Sequence, residues 1–251
     1  MKNSKIMFLF LLFLVGSLPA CPAKNFKFTG RENDQQALAK CVQLSTHKKF
    51  QEAIDCLEIF KSRFPESPYT KDAEIRIADS YYRKKEYLLA AETYQLFTKL
   101  HPTSDKLDYV YYRMGLCYLH ETPKQIDRDQ EHLPEAIDSL GIVVQQFPDS
   151  PYAKAARFRY NEARKRIAKR DFYVGYFYYN WGEYKAAIPR FQEIYQKYEN
   201  LGLDEKALYY TVAAYKKLGK IEDAKLVFEL LKAKFPNSSK TKEIQKDLFK
   251  S

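Results

Sequence analysis

The chain is poor in the residues from which most catalytic and nucleotide-binding sites are built. Eight glycines and four histidines are spread over 251 residues. The glycines form no phosphate-cradling loop, and no serine sits in a nucleophile elbow. His47, His101, His120 and His132 lie too far apart among four cysteines to make a metal template. An enzyme is therefore not expected, and neither is a metal or cofactor. No stretch alternates apolar and polar residues for long, which argues against strands. The longest apolar run, residues 6–15, is too short to cross a bilayer comfortably.

Aromatic and basic residues are abundant instead. The chain has 21 Tyr and 17 Phe against 11 Pro, a balance that suits stacked helices joined by short turns. The formal net charge of +10 leaves nucleic acid, an anionic membrane or an acidic protein as partners.

The N-terminus narrows that choice. Lys2 and Lys5 precede the apolar run, and GSLPAC follows it at 16–21. A basic start, a short apolar core and small residues before a cleavage point read as a secretory signal over residues 1–20. Leu18, Ala20 and Cys21 resemble the bacterial lipobox, with Pro19 as its departure, so Cys21 is the expected lipidation site. Loss of Lys2 and Lys5 leaves a charge of +8. Several acyl chains on one cysteine hold a protein on a membrane. Pro22, where Asp favours inner-membrane retention, implies the outer membrane and its periplasmic face. An exported, tethered chain with no recognisable binding module is not expected to meet nucleic acid. Residues 21–33 read as a polar, flexible tether.

Beyond the tether one arrangement repeats. Residues 87–102, YLLAAETYQLFTKLHP, put Tyr87, Ala90, Tyr94, Phe97 and His101 on one helix face. Ala53, Ala90, Ala136, Ala187 and Ala224 each have a bulky residue four places on: Leu57, Tyr94, Leu140, Phe191 and Phe228. Eleven places after the alanines come Phe64, His101, Phe147, Tyr198 and Phe235, and four of those five precede proline. Neighbouring alanines are 37 residues apart at both ends of the series and further apart in the middle. The extra length falls in a charged loop at 121–131 and in a long helix of about 30 residues from 151 onward.

Small residue, aromatic, alanine, aromatic and proline at this period form the tetratricopeptide-repeat pattern. The fold expected is all-α: a tetratricopeptide-repeat superhelix of five helix pairs plus a C-terminal capping helix. Residues 34–150 hold repeats 1–3, and residues 151–251 hold repeats 4–5 and the terminal helix. Asp34, Asp129 and Ser150 are the expected helix caps, and Pro189 predicts a kink.

The register puts Leu38, Val42, Ile75, Asp79, Tyr82, Arg83, Tyr109, Tyr112 and Leu116 on the concave side. That aromatic surface with one arginine suits a peptide ending in an aromatic residue and a carboxylate; for any single ring, packing between repeats is the plainer reading. The long helix carries eight Lys and Arg between 154 and 170 against Glu162, which reads either as a face for an acidic partner or as a solvated side. Asp127, Arg128, Asp129 and His132 hold no identifiable nucleophile and read as loop structure or a partner contact. Cys41, Cys56 and Cys117 read as buried thiols; a Cys41–Cys56 bridge is the alternative that an oxidising compartment allows.

FPESPY (64–69), LDYVYYRMGL (107–116), DRDQEH (127–132) and FPDSPYAKAA (147–156), with the lipobox and the five-repeat layout, resemble the BamD family. These are outer-membrane lipoproteins of the β-barrel assembly machinery. The resemblance implies a non-enzymatic scaffold that binds a BamA POTRA domain through its C-terminal repeats. It also implies N-terminal repeats that receive the C-terminal targeting strands of unfolded outer-membrane β-barrel proteins, with other assembly lipoproteins as further partners. Arg190, in AAIPRFQEI, matches a family arginine at the BamA contact, and Arg164 and Arg166 are candidate BamA contacts from the basic helix. The competing reading is another periplasmic repeat lipoprotein, a pilus or polysaccharide-export assembly factor.

Overall fold

The computed structural model describes residue 28 and residues 30–248. The signal segment, Cys21 and most of the expected tether lie outside these residues. Within them the chain forms eleven helices and no strand. The first pair is α1 (Asp34–Thr46) and α2 (Phe50–Arg63), the second α3 (Thr70–Arg83) and α4 (Tyr87–Leu100). Next come α5 (Leu107–Glu121) with α6 (Leu133–Gln146), and α7 (Ala153–Asn180) with α8 (Tyr184–Lys197). The fifth pair, α9 (Asp204–Lys217) and α10 (Ile221–Lys234), is covered by α11 (Ser239–Leu248). Each helix packs on the next in the chain, which is the tetratricopeptide plan.

The five alanines explain why the pairs nest. Ala53, Ala90, Ala136, Ala187 and Ala224 are all fully buried, where a larger side chain would hold the neighbouring helix away. Leu57, Tyr94, Leu140, Phe191 and Phe228 fill the space one turn on. Phe64, His101, Phe147, Tyr198 and Phe235 are the C-caps of α2, α4, α6, α8 and α10. Gly115 marks a tighter crossing, because a Cβ there would stand 2.6 Å from Cγ of Leu140.

The FPxSPY motifs are joints between repeats. Ser67 Oγ accepts from the Tyr69 amide at 3.2 Å and donates to Asp34 Oδ2 at 2.8 Å. Ser150 does the same with the Tyr152 amide (3.0 Å) and Asp108 Oδ2 (2.6 Å). Each serine closes its own turn and ties it to the start of the preceding pair.

Several expectations need correction. Asn33, not Asp34, caps α1, through a capping box with Gln36; Asp34 is spent on Ser67. Tyr152 rather than Ser150 is the N-cap residue of α7, which has 28 residues. Helix α8 runs through Pro189 without a break, and the Pro189 side chain is exposed. Cys41 and Cys56 are not free thiols but are bonded to each other, with Cα atoms 5.4 Å apart. Both are fully buried. Among the described residues Cys117 is the free cysteine; it is buried, and burial pushes its thiol up to about 12. Within the expected tether, Phe28 packs edge-on against Phe64 at 6.4 Å, and Glu32 pairs with Lys40.

Candidate functional site: the concave wall and the long helix

Helices α3 and α5 and the first half of α7 form a wall with two hollows. The first, about 570 Å³, lies at the N-terminal ends of α3 and α5 and is lined by Asp72, Ile75, Asp79, Asp108, Tyr109 and Tyr152, among others. The second, about 600 Å³, lies at their C-terminal ends and includes Tyr82, Tyr112, Leu116, His120, Arg159 and Arg166. Six of the nine expected groove residues therefore line a hollow: Ile75, Asp79 and Tyr109 the first, Tyr82, Tyr112 and Leu116 the second. Leu38 is buried in the core of the first repeat, with Val42 packed against it. Arg83, the last residue of α3, is exposed and lines neither hollow.

Arg113 on α5 is held between Asp79 and Tyr82 and lines neither hollow. Its guanidinium lies 3.7 Å from the centre of the Tyr82 ring, and its Nε is 3.5 Å from Asp79 Oδ1 and 3.3 Å from the Tyr94 hydroxyl. Tyr94 and Tyr109 both donate to the same Asp79 oxygen, Tyr109 at 2.6 Å. Burial, then the Asp79 charge, raises both tyrosine pKa values well above the usual. Burial works against a charged Arg113, but Tyr94, Tyr109 and Asp79 outweigh it and hold its pKa up. Only its place beside Tyr112 in YYRMGL marked this residue in the sequence. The rings also pack on each other: Tyr112 stacks on Tyr152 at 5.5 Å, and His120 on Tyr87 at 4.6 Å. Packing between repeats and lining of a hollow are thus done by the same tyrosines. Burial, then Arg159 and Arg113, lowers the His120 pKa.

Sequence comparison bears on this arrangement. The YfiO family model, described as an outer membrane lipoprotein, matches residues 31–228. The chain belongs to this family.

Among curated YfiO-type relatives, the outer membrane protein assembly factor BamD of Vibrio cholerae is 31% identical over 176 residues, covering 66% of this chain and 73% of the relative. BamD of Neisseria meningitidis serogroup A is 31% identical over 195 residues, covering 74% and 73%. BamD of Buchnera aphidicola is 24% identical over 244 residues, covering 92% and 96%. Among solved structures, the TPR2AB domain of yeast Sti1 aligns at a TM-score of 0.41 and 15% identity, over 86% of this chain and 82% of that one.

In this YfiO-family chain the three arginines expected at a partner differ in availability. Arg166 faces the inserted loop at 122–132, where it donates to Pro123 O, to Gln130 Oε1 at 3.1 Å and to Thr122 O at 3.4 Å. Gln130 completes that knot, its amide nitrogen shared among the carbonyls of Pro123, Gln125, Arg128 and Asp129. Asp129 therefore does not cap α6; the N-cap residue is His132, whose ring stacks on Tyr118. Arg164 donates to the Lys197 carbonyl at 2.5 Å and lies over Tyr160 and Tyr198, closing the end of α8. Arg190 keeps 48% of its side chain exposed and is 3.7 Å from Asp171. Burial, then Glu193, raises Asp171 to about 6, against Arg190, Arg170 and Lys197. Gly175 lets α8 approach here, since a Cβ would meet the Phe191 ring at 2.9 Å. Trp181, the C-cap residue of α7, is 73% exposed, beside Phe177 at 5.0 Å.

Proposed function

We propose that this chain is a non-catalytic scaffold subunit of an outer-membrane protein assembly complex, lipid-anchored at Cys21 on the periplasmic face. Its N-terminal repeats receive the C-terminal strands of unfolded β-barrel proteins, and its C-terminal repeats bind a BamA POTRA domain. The observation that carries this reading is the pair of hollows lined by Tyr82, Tyr109, Tyr112 and Leu116, large enough for a short extended segment. Aromatic walls bury much area at little entropic cost, and the adjoining cations suit a carboxylate. The relatives named as assembly factors support the assembly role over the pilus and polysaccharide-export alternatives. The Cys41–Cys56 bond supports an oxidising compartment and hence the periplasmic face. For BamA, Arg190 is the favoured contact because it is the most exposed of the three arginines considered; Arg164 serves as a lesser contact, and Arg166 is withdrawn as one because the loop occupies it.

The test is recovery of the tagged mature chain from detergent-solubilised membranes. BamA is the expected dominant partner, and Arg190→Glu reduces its recovery. Pilus or polysaccharide-export components in its place would overturn the reading, and intact mass of the mature chain reports the Cys21 modification.

A further inference from the structure

Charge is distributed unevenly along this chain. Residues 34–150 carry 15 Lys and Arg against 19 Asp and Glu, whereas residues 151–251 carry 22 against 12. The surplus is densest on the first part of α7, where Glu162 is the one acid among the cations between 154 and 170. Glu162 is already paired with Arg159, at 2.8 Å. Arg164 and Arg166 are turned onto the Lys197 carbonyl and the inserted loop. Lys154, Lys165 and Lys169 are exposed and have no ion-pair partner among the described residues.

Those three lysines share one line with exposed rings. Lys154, Phe158, Asn161, Lys165, Lys169 and Tyr173 follow one another at steps of three or four, which keeps them on one side of an α-helix. All six are exposed, Phe158 by 66% and Tyr173 by 52%. At helical rise the line is roughly 28 Å long. The buried residues of α7, Ala156, Ala163, Ala168, Asp171 and Gly175 among them, lie on its other sides. We propose that this line is a membrane-facing surface that lies on an anionic phospholipid bilayer, its lysines on lipid phosphates and its Phe158 and Tyr173 rings at headgroup level. The proposal rests on the reading of the chain as lipid-anchored at Cys21.

The mixture of side chains favours lipid over an acidic protein. A lysine ammonium reaches phosphate while its long stem lies on apolar surface, and a neighbouring ring buries its apolar body in the same layer. An acidic protein is better matched by the planar fork of arginine, and no arginine stands on this line. The anchor already holds the chain beside a bilayer, so a contact that is weak by itself is enough. An acyl anchor limits distance without fixing orientation. This line decides which side of the stack is turned towards the lipid.

The experiment is co-sedimentation with vesicles of the whole mature chain bearing Cys21→Ser, so that no acyl chain contributes. Vesicles of phosphatidylethanolamine with phosphatidylglycerol are expected to bind it at low salt, and phosphatidylcholine vesicles about a hundredfold less. Added salt is expected to weaken the binding. Lys165→Gln with Lys169→Gln is expected to lower the partition constant about thirtyfold. Phe158→Ala is expected to lower it several-fold at unchanged salt dependence. Equal binding to both kinds of vesicle would overturn the part given to charge. Binding that survives the double lysine variant would remove the surface from α7. If neither vesicle binds the chain, the membrane face is wrong; loss of BamA recovery in the double variant would then assign the line to an acidic protein. Intact mass of the native mature chain tests the anchor separately, so failure of the face and failure of the anchor are told apart. The vesicle comparison leaves the protein untouched and does not depend on any of these surface variants folding.

Discussion

The two halves of this solenoid use one repeat plan and furnish it differently. In repeats 1–3 the concave tyrosines surround two open hollows; in repeats 4–5 the corresponding rings close on each other. Phe172, Tyr176, Tyr179 and Tyr210 pack with centroids 5.2–6.1 Å apart. The first-half rings are also in contact, Tyr82 with Tyr87 at 5.2 Å and Tyr109 with Tyr152 at 5.3 Å, but here charged groups hold them as well: the Arg113 guanidinium lies on the face of Tyr82, and Asp79 accepts from the hydroxyls of Tyr94 and Tyr109. The ends contrast too. The first pair is stapled by a disulfide, whereas the last is covered by α11, which buries Thr241 and Ile244. Even the turns within pairs differ: the left-handed residue is Lys48 or Lys85 in the first half and Gly182 or Gly219 in the second. Aromatic content alone therefore does not make a groove.

This contrast can be broken or sharpened by substitution. Replacing both Cys41 and Cys56 by Ser removes a bond between residues 15 apart and is expected to cost about 3 kcal/mol. Denaturant titration should show the loss, and hydrogen exchange should confine it to repeat one, leaving α9–α11 protected. Arg113→Ala strips the cation from a mostly buried network and should cost about 2 kcal/mol. It should also let Tyr82 and Tyr109 close on each other, read as weaker peptide binding at unchanged helix content. Lys85→Gly relieves a left-handed side-chain residue (φ 67°) and should stabilise by about 0.5–1 kcal/mol, whereas Gly219→Lys should do the reverse. The smallest effect concerns Asp171. Its folded pKa of about 6 exceeds that of a solvated carboxyl, so folding takes up a proton and stability falls as pH rises from about 4 to 6. Asn does not titrate, so the Tm of Asp171→Asn relative to the parent should be higher at pH 7 than at pH 4.

Much of the fold was legible in the residue order. A helix pair needs a small residue where its partner crosses, a bulky one a turn away and a stop at its end. Those three requirements recur at fixed separations from Ala53 to Phe235, and each alanine so marked is buried. The inserted loop and the long α7 were visible as gaps in the same series. The groove was legible only in part. Register placed Tyr82, Tyr109 and Tyr112 on the concave side, but chose Arg83, whereas the arginine packed among these rings is Arg113. Leu38 followed the same register into a core, because the first repeat has no preceding pair to open a hollow against.

Local order thus determined which segments are helices and where each must be narrow, since those demands act within a few turns of one chain. Which arginine meets which acid was decided only by stacking, because such partners come from different repeats. Arg113 reaches back to Asp79 and Tyr82, and Arg166 reaches a loop 36 residues earlier at Gln130. The side-chain chemistry of the wall is a property of neighbouring repeats together, and no single repeat carries it.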